Sequence, residues 1–587
     1  MAQELFELKP SKVCILLDKV VNGEIGLPTL QRPFVWTDAA IRDLLDSMMK
    51  GYPIGFVMLW EPAGSYDKKE QKMLGQDAYA TAAHSLVIDG QQRLTALVAA
   101  MRGIKVKNKN YEEREVKIAF NPLTREFKVW SAAIARNVEW VPVISEVYLT
   151  DSIFGYLYTY INQVNTARTK SNQNPLTAAE VKQIEVNMNA LYNLKDYSLP
   201  IVSIMREAEE EQVSDIFVRV NSGGAKLTEN DFVQTVISVY NKDTHQQMDK
   251  FCRECRNEKG ISYNDIWVVE THHLIRIAVG VAFRRAKLQY AHLLLRGKNL
   301  ETGVVSDAER TQNIQKFNDA LKLAIHPTNW HHFLSTIQNC GYVNQKLITA
   351  KAAVVYSYIL YLIGKTEYKV PTVELASIMS KWFYMASVTG FYTNSTETTV
   401  EKQFADLREV HNAKEFVDYL QTEIDARFTD EYFDHTLPKV LETSSGKAPA
   451  WCAYNAAQIV LNNPLLFTNA DFLLNHIKSK PNGVKSSIDK HHIFPKHYLE
   501  KIGYSSDRDK NQIANFTYLT YSINQLISDD APADYVQQFK IQFGAQYDVQ
   551  LERHAIPKDF ENMDYKDFLK ERRVLMAQII KKAYQQL

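Results

Sequence analysis

The chain has 587 residues, 45% of them hydrophobic, and its 68 Lys+Arg balance 68 Asp+Glu to a formal net charge of zero. At roughly 100–200 residues per domain, that length suggests about three to five domains or a few large ones, with enough apolar sequence for sizeable cores. The neutral balance excludes a global electrostatic pull towards nucleic acid, so any contact with DNA must come from local patches.

The first residues, "MAQELFELKPSKVC", lack the basic-then-apolar pattern of a secretory signal. In "TDAAIRDLLDSMMKG", Thr37 is placed to cap a helix and Gly51 to end it, with Ile41, Leu44, Leu45 and Met48 on one face. "PIGFVMLW" (53–60) reads as a buried strand, and "SLVIDGQQRLTALVAAM" (85–101) as strand, tight turn and helix. Residues 105–145 suggest a small sheet, and helical periodicity dominates from 150 to 440. "CREC" (Cys252 to Cys255) is a lone CxxC without a second pair at zinc-finger spacing, and is read as structural. Together with Cys14, Cys340 and Cys452, the five cysteines form no disulfide framework and suit a reducing cytoplasm. "AAVVYSYILYLIG" (352–364) falls short of the ~20 residues that span a bilayer, so no membrane partner is expected. "SSGKAPA" (444–450) resembles a linker, and the chain closes on an amphipathic helix with Phe568, Leu575, Ile579 and Tyr584 in its apolar stripe. The fold class expected is α+β and predominantly helical, divided at 1–240, 241–445 and 446–587. The 31 Tyr, 26 Phe and 8 Trp are read as core residues, and none is assigned to a base-binding cage.

Chemistry concentrates in two places. The first is "SSIDKHHIFPKHYLEKIGY" (486–504) followed by "NQIANFTYLTYSINQLISDDAPADY". Phosphodiester cleavage needs an attacking water, a base for its proton, and a cation for the charge on phosphate oxygens. Imidazole suits the base because its ordinary pKa lies near 6.5. Adjacent strand residues face opposite ways, so one of His491 and His492 can hold a metal while the other faces the phosphate if the strand is twisted there. Pro495 would end the strand. Asn515 ends an apolar stretch read as a second strand, and Asn524 lies nine residues on, in a helix. His497 lies outside this pattern. Residues 481–587 carry 15 Lys+Arg and 14 Asp+Glu, a net of +1, too little for tight non-specific DNA binding by this part alone.

The second place comprises "LPTLQRPFVW" (27–36), "VIDGQQRLTAL" (87–97) and "IFVRVNSGGAKLTENDF" (216–232). Asp89, Gly90, Gln91, Gln92 and Arg93 occupy a strand-to-helix turn, where unpaired helix N–H groups suit an anion. Gly90 permits close backbone approach, Arg93 could clamp a phosphate, and Asp89 could hold Mg2+ or orient a water. Neither a Walker A nor a GxGxxG pattern is present. Taken singly, each of these runs, and a His pair on a strand, is more commonly structural.

In combination, "HHIFPKHYL" and "NFTYLTYSINQLISDDAP" resemble the ββα-metal (HNH) nucleases, most closely the HNH domain of GmrSD-type, modification-dependent (type IV) restriction endonucleases. That resemblance implies His492 as general base, His491 on the metal side, Asn524 as ligand to Mg2+ or Mn2+, and Asn515 as the asparagine that organises the loop. Only Cys452 is available in this segment, so no structural zinc is expected. "DGQQR", "QRPFVW" and "FVRVNSGGAKL" resemble the ParB-like N-terminal domain of the same family. This implies a nucleoside triphosphate, GTP foremost, bound with Mg2+ by Asp89 to Arg93 with Gln31 and Arg32, and more weakly by Arg219, Asn221 and Asp231. The function implied is an NTP-regulated, metal-dependent endonuclease or nickase, with NTPase activity, that restricts modified double-stranded phage DNA. Two alternatives stay open: a nucleotide-sensing DNA-binding module with an inactive HNH domain, and cleavage of RNA. Whether two sites act together in a homo-oligomer, and so cut one strand or both, is left open.

Overall fold

The computed structural model describes residues 5–28, 34–61, 71–72, 85–107, 113–205, 208, 212–213, 216, 242–295, 297–300, 302–477 and 488–587. It divides into two compact units, Met1–His245 and Gln246–Leu587. The fold is predominantly helical α+β.

The first unit is built on a mixed sheet. Its strands are β1 (Phe6–Lys12), β2 (Ile25–Pro28), β3 (Val57–Trp60), β4 (Gln71–Lys72), β5 (Ser85–Asp89) and, from far along the chain, Ser198–Ile204. Two short hairpins lie between: β6 (Val106–Lys107) with β7 (Glu113–Arg114), and β8 (Ile118–Asn121) with β9 (Glu126–Val129). Ser198–Ile204 is therefore β10, and the sheet order is β1-β10-β3-β5-β2-β4. In β3, Val57 and Leu59 face one apolar core while Met58 and Trp60 face another; in β5, Val87 and the pair Leu86 and Ile88 divide the same way. Burial on both faces is why these strands read as unbroken apolar runs rather than alternating ones. The helix Asp38–Met49 starts where expected: the Thr37 hydroxyl accepts from the Ala40 N–H at 3.3 Å, and Ile41, Leu44, Leu45 and Met48 are buried. The strand β10 interrupts the stretch from 150 to 440 in which helical periodicity dominates. It is interior, with β1 antiparallel on one side and β3 parallel on the other. Pro200 sits opposite Pro10 and just before the pairing with Val57 begins, so neither missing N–H interrupts that ladder.

In the second unit, the helices Thr271–Phe283, Pro327–Asn339, Lys351–Thr366 and Thr372–Thr389 enclose Trp330, Phe333, Tyr358, Trp382, Phe383 and Tyr384. The apolar run at 352–364 is a helix buried on every side, and among the described residues no helix is long and apolar enough to cross a membrane. Cys252 and Cys255 are buried and unpaired, and burial pushes the Cys252 thiol up to about 12. The segment read as a linker ends in the helix Pro449–Val460, whose Trp451 ring lies 6.1 Å from Phe516 and 6.0 Å from Tyr518. That helix supports the hairpin carrying the paired histidines.

Candidate active site

β11 (Ile488–His492) pairs antiparallel with β12 (Phe516–Thr520), placing His491 opposite Thr517 and His492 opposite Phe516. The helix Tyr521–Ile527 follows directly, its first turn capped by the Thr520 hydroxyl. Two boundaries differ from expectation. β11 stops at His492, and Pro495 instead caps the helix Lys496–Lys501. Asn515 precedes β12 rather than ending a strand: it closes the turn Ile513–Asn515. The apolar pair Ile513 and Ala514 is buried by that turn, which mimics a strand in sequence.

Strand alternation sends Asp489 and His491 to one face and Lys490 and His492 to the other. His491 Nδ1 lies 2.7 Å from Asn524 Oδ1, and Asn524 Nδ2 donates to the Asp489 carboxylate at 3.0 Å. A carboxylate only accepts, so the amide nitrogen faces Asp489 and the amide oxygen faces the ring. His491 Nδ1 then carries the hydrogen, and Nε2 carries a lone pair that is buried without a hydrogen-bond partner. Burial lowers the pKa of His491, opposed by the Asn524 hydrogen bond and the charges of Asp529 and Asp489.

His492 has separate partners. Its Nε2 lies 3.0 Å from Asn511 Oδ1, and its ring meets Phe516 edge-on with centroids 4.7 Å apart. Donation from Nε2 to an amide oxygen leaves the lone pair on Nδ1. Burial pushes its pKa down to about 4 against the pull of the Asn511 hydrogen bond, with Lys496 adding to the fall, so the ring is neutral at pH 7.

Asn515 is fully buried. Its Oδ1 accepts the Phe494 N–H at 2.8 Å, while Nδ2 donates to the carbonyls of Phe494 at 3.0 Å and Lys510 at 3.3 Å. It therefore joins the exit from β11 to the loop that carries Asn511. The C-terminal helix Tyr565–Gln585 holds that loop from behind: the Tyr565 hydroxyl donates to the Asp509 carbonyl at 2.8 Å and Arg572 to the Ala514 carbonyl at 2.6 Å. His497 is exposed beside Glu500, 3.4 Å away. Asp489 and Asn511 were not singled out in the sequence. Asp489 carried a usable signal, since it lies two residues before His491 on the same strand face. Asn511 carried none, because loop residues have no periodicity to read.

Among the described residues, no group of three or more His, Cys, Asp or Glu side chains is arranged to hold a metal ion. What the site offers is one imidazole and one amide oxygen, separated by 2.7 Å, with a carboxylate behind the amide. That 2.7 Å contact is a hydrogen bond as it stands; with the ring hydrogen moved to Nε2, Nδ1 and the amide oxygen would stand at roughly the 3 Å spacing of neighbouring ligands on a six-coordinate divalent cation whose other positions are water or phosphate.

In the first unit, Gly90 adopts φ of 91° between β5 and the helix Gln91–Arg102. Arg93 Nη1 donates to the Phe56 carbonyl at 2.5 Å, beneath a turn where Gly55 also has positive φ, at 89°. Burial lowers the Arg93 pKa, and the Asp89 charge acts in the opposite direction. Gln92 Oε1 accepts the Val35 N–H at 2.9 Å, which brings the described end of the 27–36 run against the Asp89–Arg93 turn. Gln31, Arg32, Arg219, Asn221 and Asp231 lie outside the described residues.

Comparison with known proteins adds two findings. Residues 14–238 match the model of the GmrSD restriction endonuclease N-terminal domain. An uncharacterized protein of Methanocaldococcus jannaschii is 22% identical over 570 residues, covering 89% of this chain and 86% of its own. The likeness to that protein extends well past residue 238. The N-terminal region is similar to that of GmrSD-type restriction endonucleases.

Proposed function

We propose that the chain is a divalent-metal-dependent DNA endonuclease or nickase of the restriction type. It would act on modified phage DNA, with β11, β12 and the helix Tyr521–Ile527 as an HNH centre and the first unit as its nucleotide-responsive, GTP-hydrolysing part. The observation that carries this reading is the separate setting of two adjacent imidazoles. His491 is tied to Asn524, and His492 is tied through Nε2 to Asn511, with its Nδ1 lone pair unspent.

On this reading His492 Nδ1 takes a proton from water, the water oxygen attacks phosphorus, and the bond to the leaving sugar oxygen breaks as that oxygen takes a proton from a solvent water. His491 and Asn524 would hold the cation, which supplies charge stabilisation for the phosphoryl and leaving oxygens. Asn515 keeps the base at the strand exit. The GmrSD match supports a DNA substrate, and the nucleotide reading of Asp89 to Arg93 rests on the resemblance of their motif. Gln31, Arg32, Arg219, Asn221 and Asp231 complete that reading by resemblance alone.

The test is cleavage of glucosylated or hydroxymethylated phage DNA against unmodified DNA, with Mg2+ or Mn2+, with and without GTP, by wild type and His492→Ala. General-base loss is expected to lower the rate by about 10²–10⁴-fold. Undiminished cleavage by His492→Ala would overturn the assignment.

A further inference from the structure

Resting on the HNH reading, we propose that Asp489 is a positioning residue: it turns the Asn524 amide so that oxygen, not nitrogen, faces His491, and so sets the affinity of the site for a divalent cation. An asparagine side chain is nearly symmetric in shape but not in chemistry. Rotated by half a turn it would present N–H groups to the cation and repel it. Nothing in the His491–Asn524 contact alone prevents that rotation, since a neutral imidazole can accept from an amide as readily as donate to one. Asp489 removes the ambiguity. Its carboxylate accepts from Asn524 Nδ2 at 3.0 Å, and the flipped amide would set two oxygens against each other there. The strand supplies the placement: Asp489 and His491 are two residues apart on one face of β11, opposite Leu519 and Thr517 of β12, and the helix carrying Asn524 begins directly after β12. Groups behind a metal ligand commonly change affinity by about 10–100-fold when removed.

Mn2+ binding to the full chain, measured by calorimetry without DNA or nucleotide, tests this apart from catalysis. Asp489→Ala is expected to weaken Mn2+ by about 10–100-fold. In an Asn524→Asp background the ligand presents oxygen whichever way it turns, so the same Asp489→Ala change should then cost little or nothing. A carboxylate that merely attracted the cation, or bound it directly, would cost the same in both backgrounds, and that result overturns the proposal. So does wild-type affinity in Asp489→Ala. Should Asp489→Ala lower the melting temperature, Asp489→Asn replaces it: an amide there can donate as well as accept and so no longer fixes the Asn524 amide, so weaker Mn2+ binding is expected, and wild-type affinity overturns the proposal. If His491→Ala binds Mn2+ as wild type does, or wild type binds none, the HNH metal reading itself fails and the proposal falls with it; failure confined to the Asp489 variants leaves that reading standing.

Discussion

The two clusters of chemistry differ in how far the chain must travel to build them. The nuclease candidate draws Asp489, His491, His492, Asn511, Asn515 and Asn524 from 36 consecutive residues, 489–524, and nearly every contact is a hydrogen bond between a named amide and a named ring or backbone group. The nucleotide candidate draws on runs near residues 30, 90 and 220. Two of its contacts, Gln92 to Val35 and Arg93 to Phe56, join polar side chains to backbone. A site built from one short segment can be read from spacing, because turn and strand geometry fix what meets what. A site assembled by the tertiary fold cannot be read that way. Substitutions at three positions test how deep this contrast runs.

The largest effect is expected at Asn515. Its amide makes three hydrogen bonds in a fully buried position. Asn515→Ala would strand the Phe494 N–H and carbonyl, at about 1–3 kcal/mol for each unsatisfied buried group, and leave the Lys510 carbonyl to the Tyr565 hydroxyl at 3.5 Å. A loss of about 3 kcal/mol or more in thermal unfolding is expected, with cleavage falling even where the protein is folded. Asn515→Asp keeps the acceptor for Phe494 but turns a carboxylate on two carbonyls, and should be little better. A stable, active Asn515→Ala would break the idea that this segment is fixed by its own hydrogen bonds.

How much was legible follows from the same contrast. The ββα element order, the His-His pair and both asparagines were visible because each sits at a fixed offset from a strand or helix. The ends of those elements were not, because Ile513 and Ala514 are as apolar as a strand although they form a turn. β10 was missed for a tertiary reason: seven residues of strand inside a helical stretch are stabilised by β1 and β3, both encoded well over a hundred residues earlier. The helix at 352–364 was recognisable as apolar but not as amphipathic, since it has no exposed face to mark the period.

The second test separates the units by pH. The buried histidines among the described residues, His273, His491 and His554, all lie in the second unit. His554 donates from Nε2 to the Pro464 carbonyl at 2.8 Å, and burial, with Arg572 nearby, pushes its pKa down to about 4. Its unfolded value is near 6.5, so the unfolded chain binds the proton more readily than the folded one. Stability is then full above about pH 6.5 and falls as pH drops towards 4, by up to about 3 kcal/mol from this group. His273 acts in the same direction: burial, with His272 beside it, pushes its pKa down to about 2. Melting curves between pH 7 and 4.5 should show a shallower acid slope for His554→Gln, whose amide can still donate to Pro464. An unchanged slope would remove His554 from the acid response.

The smallest expected effect lies in the first unit, at Gly90. Its φ of 91° is open to glycine at little strain, and a Cβ there would stand 3.2 Å from the Phe56 carbonyl oxygen and 3.3 Å from Arg93 Nη1. Those two groups are hydrogen-bonded to each other, so the added methyl presses on the contact that holds the guanidinium in place. A left-handed conformation costs a residue with Cβ about 1–2 kcal/mol, and Gly90→Ala should lower stability by that amount. If the Asp89–Arg93 turn receives a nucleotide phosphate, the displaced Arg93 should also weaken GTP by about tenfold, since about 1.4 kcal/mol is a factor of ten in binding. Calorimetric titration of GTP into Gly90→Ala and wild type reads both halves against the melting curve. A stability loss with GTP affinity unchanged would mean that the turn is a structural joint, its Arg93 spent on Phe56, and would move the nucleotide reading to the runs around Gln31 and Arg219.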